Sequence, residues 1–388
     1  MRILFISLSC LSDPSSGAAI SVRTILQLLA EQGCSVSTFT TACFDKAPAP
    51  TPEASLKVNG FRRDAETGLW KNASNGITQI ALPVGVTHAA NVTADHCKQL
   101  ETSAKTYIQE WQPDILIGYG ASRYEMSLRA FAKEKGIGTV FYLANPNYKS
   151  TKSFEHSDLI ITDSNATAAL YSERLGLEAL NVGKFISRPR IQPRPNRDKM
   201  ITFVNPSLNK GAVFFYRIAE MMNTILPTMR FLVVESRATL EQHHKRLGIP
   251  FLSLANVRRV GLQTDMGEVF SRTHTLLMPS LWHESGARTA IEAISLGIPV
   301  VASSVGGIPE HLGEGAMQIN VPQKYRDNHS LVPPPSVVLP WINALSQLWT
   351  DEEYWEERSE AALLQWQNHD PSERVQLLKS QLKSLTGS

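Results

Sequence analysis

Short apolar runs alternate along the chain with longer amphipathic stretches, the pattern left by strand, crossover helix and parallel strand. In the first half, Ile3 to Ser7, Ser35 to Thr40, Ile77 to Leu82, Asp114 to Ile117, Thr139 to Leu143 and Leu159 to Thr162 predict strands. Helices are predicted over 18 to 31, 93 to 110, 122 to 135 and 164 to 175. Residues 44 to 76 are polar and without a period, which predicts an irregular insertion. The alternation breaks at 187 to 199, a Pro- and Arg-rich stretch that predicts a linker. It restarts with strands at Ile201 to Val204, Arg230 to Val234, Asn256 to Val260, Thr275 to Met278, Val300 to Ala302 and Met317 to Ile319. Trp341 to Trp349, Asp351 to Trp366 and Ser372 to Leu385 then predict consecutive helices. The expected fold class is α/β, with parallel-sheet domains over 1–186 and 200–366, a linker over 187–199 and a terminal helical segment over 367–388.

Composition narrows the function without choosing it. The 388 residues are 43% hydrophobic and 19% charged, enough for two ordinary cores and far from disorder. A net charge of +2 gives no global field, so no nucleic-acid partner is expected. Cys10, Cys34, Cys43 and Cys97 lack the spacing of a zinc or redox site. With no Asp-x-Asp triplet or spaced histidine pair, neither a metal nor a resident cofactor is expected. The adjacent His243 and His244 are read as surface polar residues, and Trp349, Trp355 and Trp366 as packing residues of amphipathic helices. The first apolar run is too short for a signal peptide and no run is long enough to span a bilayer, so a cytoplasmic chain is expected.

The chemistry concentrates where strand 275 to 278 runs through Pro279 to a loop bearing Glu284 and a helix expected to begin near Ser285. Ligands of open α/β sheets bind where a parallel strand feeds a helix N-terminus. There the amides of Gly286, Ala287 and Arg288 would attract a phosphate. Glu292, farther along, could accept from ribose hydroxyls, or could pair with Arg288 at i, i+4 on a solvated face.

Glu284 and Glu292, with seven residues between them, followed by Gly297 to Ser303, resemble the signature of the retaining glycosyltransferases of family four. The likeness continues in Gly306 to Glu310, in Phe203 to Gly211 with Lys210, and in Ser16 to Ala19 after the first strand. It implies the GT-B fold, two Rossmann-like parallel-sheet domains facing a cleft, with the last helix crossing back to the first domain. It also implies metal-independent transfer of a hexosyl unit from a nucleoside diphosphate sugar to a hydroxyl acceptor with retention. By that resemblance Glu284 and Lys210 are the catalytic residues, facing the donor sugar and the diphosphate. Gly17, Asn205, Ser285, Gly286, Ala287, Arg288 and Glu292 would bind the donor.

Many members carry an arginine shortly before the lysine, where Asn205 to Asn209 has none, and a histidine where this chain has Gly118 to Ser122. Tyr119 and Asn145, at the ends of consecutive strands, are the candidates near the sugar or acceptor. Members often act on lipid-linked or envelope glycans, so the acceptor class includes these, with a peripheral contact on the inner membrane face. A catalytically silent nucleotide-sugar-binding scaffold and a sugar-nucleotide epimerase of the same fold are the competing readings. A nicotinamide dehydrogenase is disfavoured because residues 7 to 12 lack a Gly-rich turn.

Overall fold

The computed structural model describes residues 1–190 and 199–386. Most of the expected linker, residues 191–198, lies outside the described residues. The chain divides into unit 1, Met1–Phe185 with Pro371–Ser388, and unit 2, Ile186–Asp370.

Unit 1 begins with β1 (Arg2–Ile6), α1 (Gly17–Glu31), β2 (Ser35–Thr41), α2 (Pro52–Val58), β3 (Arg62–Arg63), β4 (Trp70–Ser74) and β5 (Ile77–Leu82). It continues with α3 (Ala94–Trp111), β6 (Ile115–Gly118), α4 (Arg123–Glu134), β7 (Gly138–Leu143), β8 (Leu159–Thr162), α5 (Asn165–Leu175) and β9 (Leu180–Asn181). These strands form one sheet in the order β3-β4-β5-β2-β1-β6-β7-β8-β9, parallel from β5 to β9. Ile3, Phe5, Ile115, Ile117 and Val140 on one face meet Val22, Leu26 and Leu29 of α1. Leu4, Ile6 and Leu116 on the other meet Leu100 and Ile108 of α3 and Leu128 of α4. Both faces are covered, which is why β1, β6 and β7 read as nearly continuous apolar runs.

The stretch 44 to 76 is not the irregular insertion its polarity suggested. Thr51 caps α2, accepting from the Ala54 amide at 3.2 Å, with Pro52 in the first turn. β4 pairs antiparallel with β5 across an Asn75-Gly76 turn, both residues at positive φ. Trp70, Leu56, Phe61 and Phe44 bury themselves together as a small core of their own.

Unit 2 contains β10 (Met200–Val204), α6 (Ala212–Ile225), β11 (Phe231–Val234), α7 (Leu240–Leu247), β12 (Val257–Val260), α8 (Met266–Phe270) and β13 (Thr273–Met278). It then adds α9 (Arg288–Ile294), β14 (Val300–Ser303), α10 (Ile308–Leu312), β15 (Ala316–Ile319), α11 (Gln323–Asp327), α12 (Pro335–Thr350) and α13 (Glu352–Trp366). The sheet is parallel throughout, in the order β12-β11-β10-β13-β14-β15. The order reverses direction at β10, which places β11 on one side of it and β13 on the other. That is the switch point where open α/β sheets leave a crevice at the carboxyl ends of their strands. α12 starts before the predicted Trp341, at Pro335, and carries Pro340 inside. α14 (Ser372–Ser384) belongs to unit 1, where Val375, Leu378 and Leu382 join the core beside α1.

Candidate functional site

At the carboxyl end of β10 the backbone turns on Asn205, whose φ of 57° is rare for a residue with a side chain. Its carbonyl accepts from the Ser207 amide at 2.7 Å, and its Oδ1 is buried without a hydrogen-bond partner among the described residues. Leu208 to Lys210 make a single 3-10 turn that ends on Gly211, at φ 88°. A Cβ at Gly211 would lie 1.9 Å from the Pro279 carbonyl oxygen, so only glycine lets the β10 loop press on the β13 loop. The Leu281 amide seals that approach by donating to the Asn209 carbonyl at 2.9 Å.

His243 is not the surface residue expected. It is 7% exposed, and its Nε2 hydrogen-bonds the Pro206 carbonyl at 2.7 Å, so α7 supports the loop from behind. Burial lowers its pKa. The adjacency of two histidines hid this, because the helix turns one inward and leaves the other partly exposed.

The β13 loop brings Glu284 to this place. Glu284 is 6% exposed, and its Oε1 accepts both the Ser280 hydroxyl, at 2.6 Å, and the Lys210 ammonium. Burial of a carboxylate is tolerated because both donors meet it. From the far side, Gly307 donates its amide to the Glu284 carbonyl at 2.7 Å. Gly306, at φ 57°, approaches so closely that a Cβ would fall 2.4 Å from that same carbonyl oxygen. Three strand-end loops therefore meet at Glu284, two on its carboxylate and one on its backbone. Motif reading found Lys210 and Glu284; Ser280 and His243 escaped it, since neither has a pattern of its own.

The helix after this loop begins at Arg288, not near Ser285. Ser285, Gly286 and Ala287 precede it, and Ala287 takes the left-handed conformation at φ 39°, a strained choice for a residue with a Cβ. Ser285 and Glu292 are 5% and 3% exposed. Glu292 does pair with Arg288, Nε to Oε1 at 2.8 Å with Nη2 on the same oxygen, but the pair is not on a solvated face. Arg288 Nη1 is buried and has no partner among the described residues. A guanidinium with an unspent, enclosed N–H is a ready donor to an anion.

The remaining candidates lie in unit 1, each beyond the carboxyl end of a strand. Gly17 opens α1 with ordinary backbone geometry, and a Cβ there would meet nothing within 4 Å. Tyr119, after β6, packs its ring on Phe5 and buries its hydroxyl beside Ser7, and burial pushes its pKa up. Asn145, after β7, accepts from the Asn147 amide through Oδ1 at 3.0 Å and from Tyr171 through its carbonyl at 2.8 Å. Glu125 is buried and occupies the room beside Gly120: it caps α4 through Ser122 and also reaches the Leu8 amide.

Among the described residues no group of three or more acidic, histidine or cysteine side chains could hold a metal ion, and no helix is long and apolar enough to cross a membrane.

Residues 198–351 match the family described as glycosyl transferases group 1. No curated protein matches the sequence. Among solved structures, sucrose-phosphate synthase from Thermosynechococcus elongatus superposes with a TM-score of 0.71 at 16% identity, over 99% of this chain and 98% of that one. The HepE protein of Anabaena in complex with UDP-glucose gives 0.67 at 15% identity, over 99% and 100%. The UDP-forming α,α-trehalose-phosphate synthase from Burkholderia vietnamiensis gives 0.63 at 14%, over 99% and 98%. At such identities the likeness is one of fold, the GT-B class of paired parallel-sheet α/β units.

Proposed function

We propose, on the premise that the chain is a group 1 glycosyltransferase through residues 198–351, that it moves a hexosyl unit from a nucleoside diphosphate sugar to a hydroxyl acceptor with retention. The observation that carries this reading is the joining of Lys210 to Glu284 at the switch point of the unit 2 sheet. UDP-sugars lead as donors, since HepE is described with UDP-glucose and the trehalose-phosphate synthase as UDP-forming. A lipid-linked or glycan acceptor, with a peripheral membrane contact, belongs to the same proposal.

In the transfer, the bond from the anomeric carbon to the diphosphate oxygen breaks, and the diphosphate leaves with the electron pair. The acceptor oxygen bonds the anomeric carbon on the same face, and its proton passes to a diphosphate oxygen. Negative charge therefore grows where fixed donors are most effective. Lys210 and the Nη1 of Arg288 supply those donors, and Asn205 Oδ1, without a partner among the described residues, is the buried acceptor for the donor's polar groups. Lys210 is shared: donor diphosphate draws it from Glu284, which frees the carboxylate to accept sugar hydroxyls. Glu292, steadied by Arg288, accepts from the ribose. Gly17 leaves open space over the start of α1 without any demand from its own backbone, which suits a glycine kept for a ligand. Metal independence goes with these cations acting as the charge-neutralising groups.

A donor panel headed by UDP-glucose, followed for released nucleoside diphosphate with and without EDTA, tests the proposal. Product NMR reads the anomeric configuration. Thermal stabilisation by a donor with no release in the presence of any acceptor would favour the silent binding protein.

A further inference from the structure

The opposite end of the unit 2 sheet holds a second pocket that the donor site does not use. It opens at the amino ends of β10 and β13, where Lys199, His274, Trp349, Glu352 and Trp355 surround about 340 Å³. β13 alone, Thr273–Met278, separates it from the Glu284 loop by roughly 20 Å at about 3.3 Å per residue.

Its walls are set before any ligand arrives. The Trp355 indole N–H donates to the His274 carbonyl at 3.0 Å, which fixes that ring. The His274 ring lies 5.4 Å from Trp349, edge to face, and 5.2 Å from Trp355. Both indoles pack against the unit 2 core yet remain partly exposed. The polar groups are few. His274 spends Nδ1 on the Thr275 hydroxyl at 3.0 Å and leaves Nε2 without a hydrogen-bond partner among the described residues. Lys199 and Glu352 are exposed, and neither makes an ion pair among the described residues.

This combination selects a ligand class. Indole faces want an apolar surface, whereas the ammonium, carboxylate and imidazole want hydroxyls that both donate and accept. The rim carries one positive and one negative charge, so a net anion or cation gains from one group and is repelled by the other. The volume is at the small end of ligand pockets and admits one or two sugar rings. We propose that this pocket is a second saccharide subsite, binding a neutral mono- or disaccharide with an apolar ring face against the indoles and its hydroxyls on Lys199, Glu352 and His274. The assignment stands apart from the reading of the donor site.

Glucose, maltose and cellobiose, titrated into the full chain and followed by tryptophan emission and saturation-transfer NMR, test it. At least one should bind saturably, and saturating UDP should leave that binding unchanged. Glu352→Gln and Lys199→Gln, on exposed positions that leave folding intact, should each weaken it about tenfold, the loss expected for one hydrogen bond to a charged group. Trp349→Ala should abolish it. The proposal is overturned if none of the sugars binds saturably, if UDP displaces them, if the rim variants bind as the parent does, or if gluconate or glucosamine binds more tightly than the neutral sugars.

Discussion

Lys210 and Glu284, from loops after different strands and 74 residues apart, share a hydrogen bond that the Ser280 hydroxyl completes on the same carboxylate oxygen. Neither group is idle, so under the proposed function an entering donor exchanges partners with this pair. Lys210→Ala should lower the rate of nucleoside diphosphate release by roughly a hundredfold or more. Glu284→Gln should also slow transfer, with its larger effect on turnover than on KM, because the proposed function sets this carboxylate on the sugar undergoing reaction. Undiminished release from the Lys210→Ala protein, with a normal melting curve, would remove the lysine from the mechanism.

Glu292 and Arg288 should separate along a different axis. Glu292→Gln keeps the shape of the buried site, and if the proposed function is right it weakens ribose recognition, so KM for the donor should rise more than turnover falls. Glu292→Ala additionally leaves an enclosed guanidinium without its acceptor and should cost about 1–3 kcal/mol in urea denaturation. Equal loss of turnover and affinity in Glu292→Gln would place the carboxylate on the reacting sugar instead.

Glycine substitutions distinguish fold from function. Gly211→Ala drives a methyl into the Pro279 carbonyl and needs positive φ, so it should destabilise by roughly 2–4 kcal/mol and lower activity with it. Gly17→Ala meets no protein atom and should leave the melting temperature unchanged or slightly higher. Under the donor-binding role proposed for Gly17 its transfer rate nonetheless drops, and parent-like kinetics in Gly17→Ala would remove that role.

Burial holds His274 neutral, its pKa lowered to about 4, with Lys199 adding repulsion. The unfolded chain then takes up this proton more readily between about pH 6.5 and 4. His274's contribution is therefore undiminished above about pH 6.5 and declines as pH falls toward 4, by at most roughly 3 kcal/mol. Urea midpoints measured at about pH 7 and about pH 4.5 should differ less in His274→Asn than in the parent. An identical pH dependence in both proteins would show that another group carries the acid sensitivity.

The alternation of short strand-like runs with longer amphipathic stretches was enough to mark the parallel strands β1, β2, β5 to β8 and β10 to β15, because a parallel neighbour is reached only through a long crossover connection. The Glu284–Glu292 spacing and Lys210 were legible through the resemblance to the family-four signature, and only the placing of Glu284 between a strand end and a helix start follows from the pattern itself. The 44 to 76 region was misread because its core is made by Leu56, Phe61 and Trp70, which are far apart in sequence and show no period until the Asn75-Gly76 turn brings β4 onto β5. The inward turn of His243 onto the Pro206 carbonyl and the bond of Lys210 to Glu284 were decided by contacts between elements far apart in sequence. Local propensity has no access to such contacts: periodicity reports which face of an element is buried, whereas the partner of a buried polar group is chosen only when separate strand ends meet.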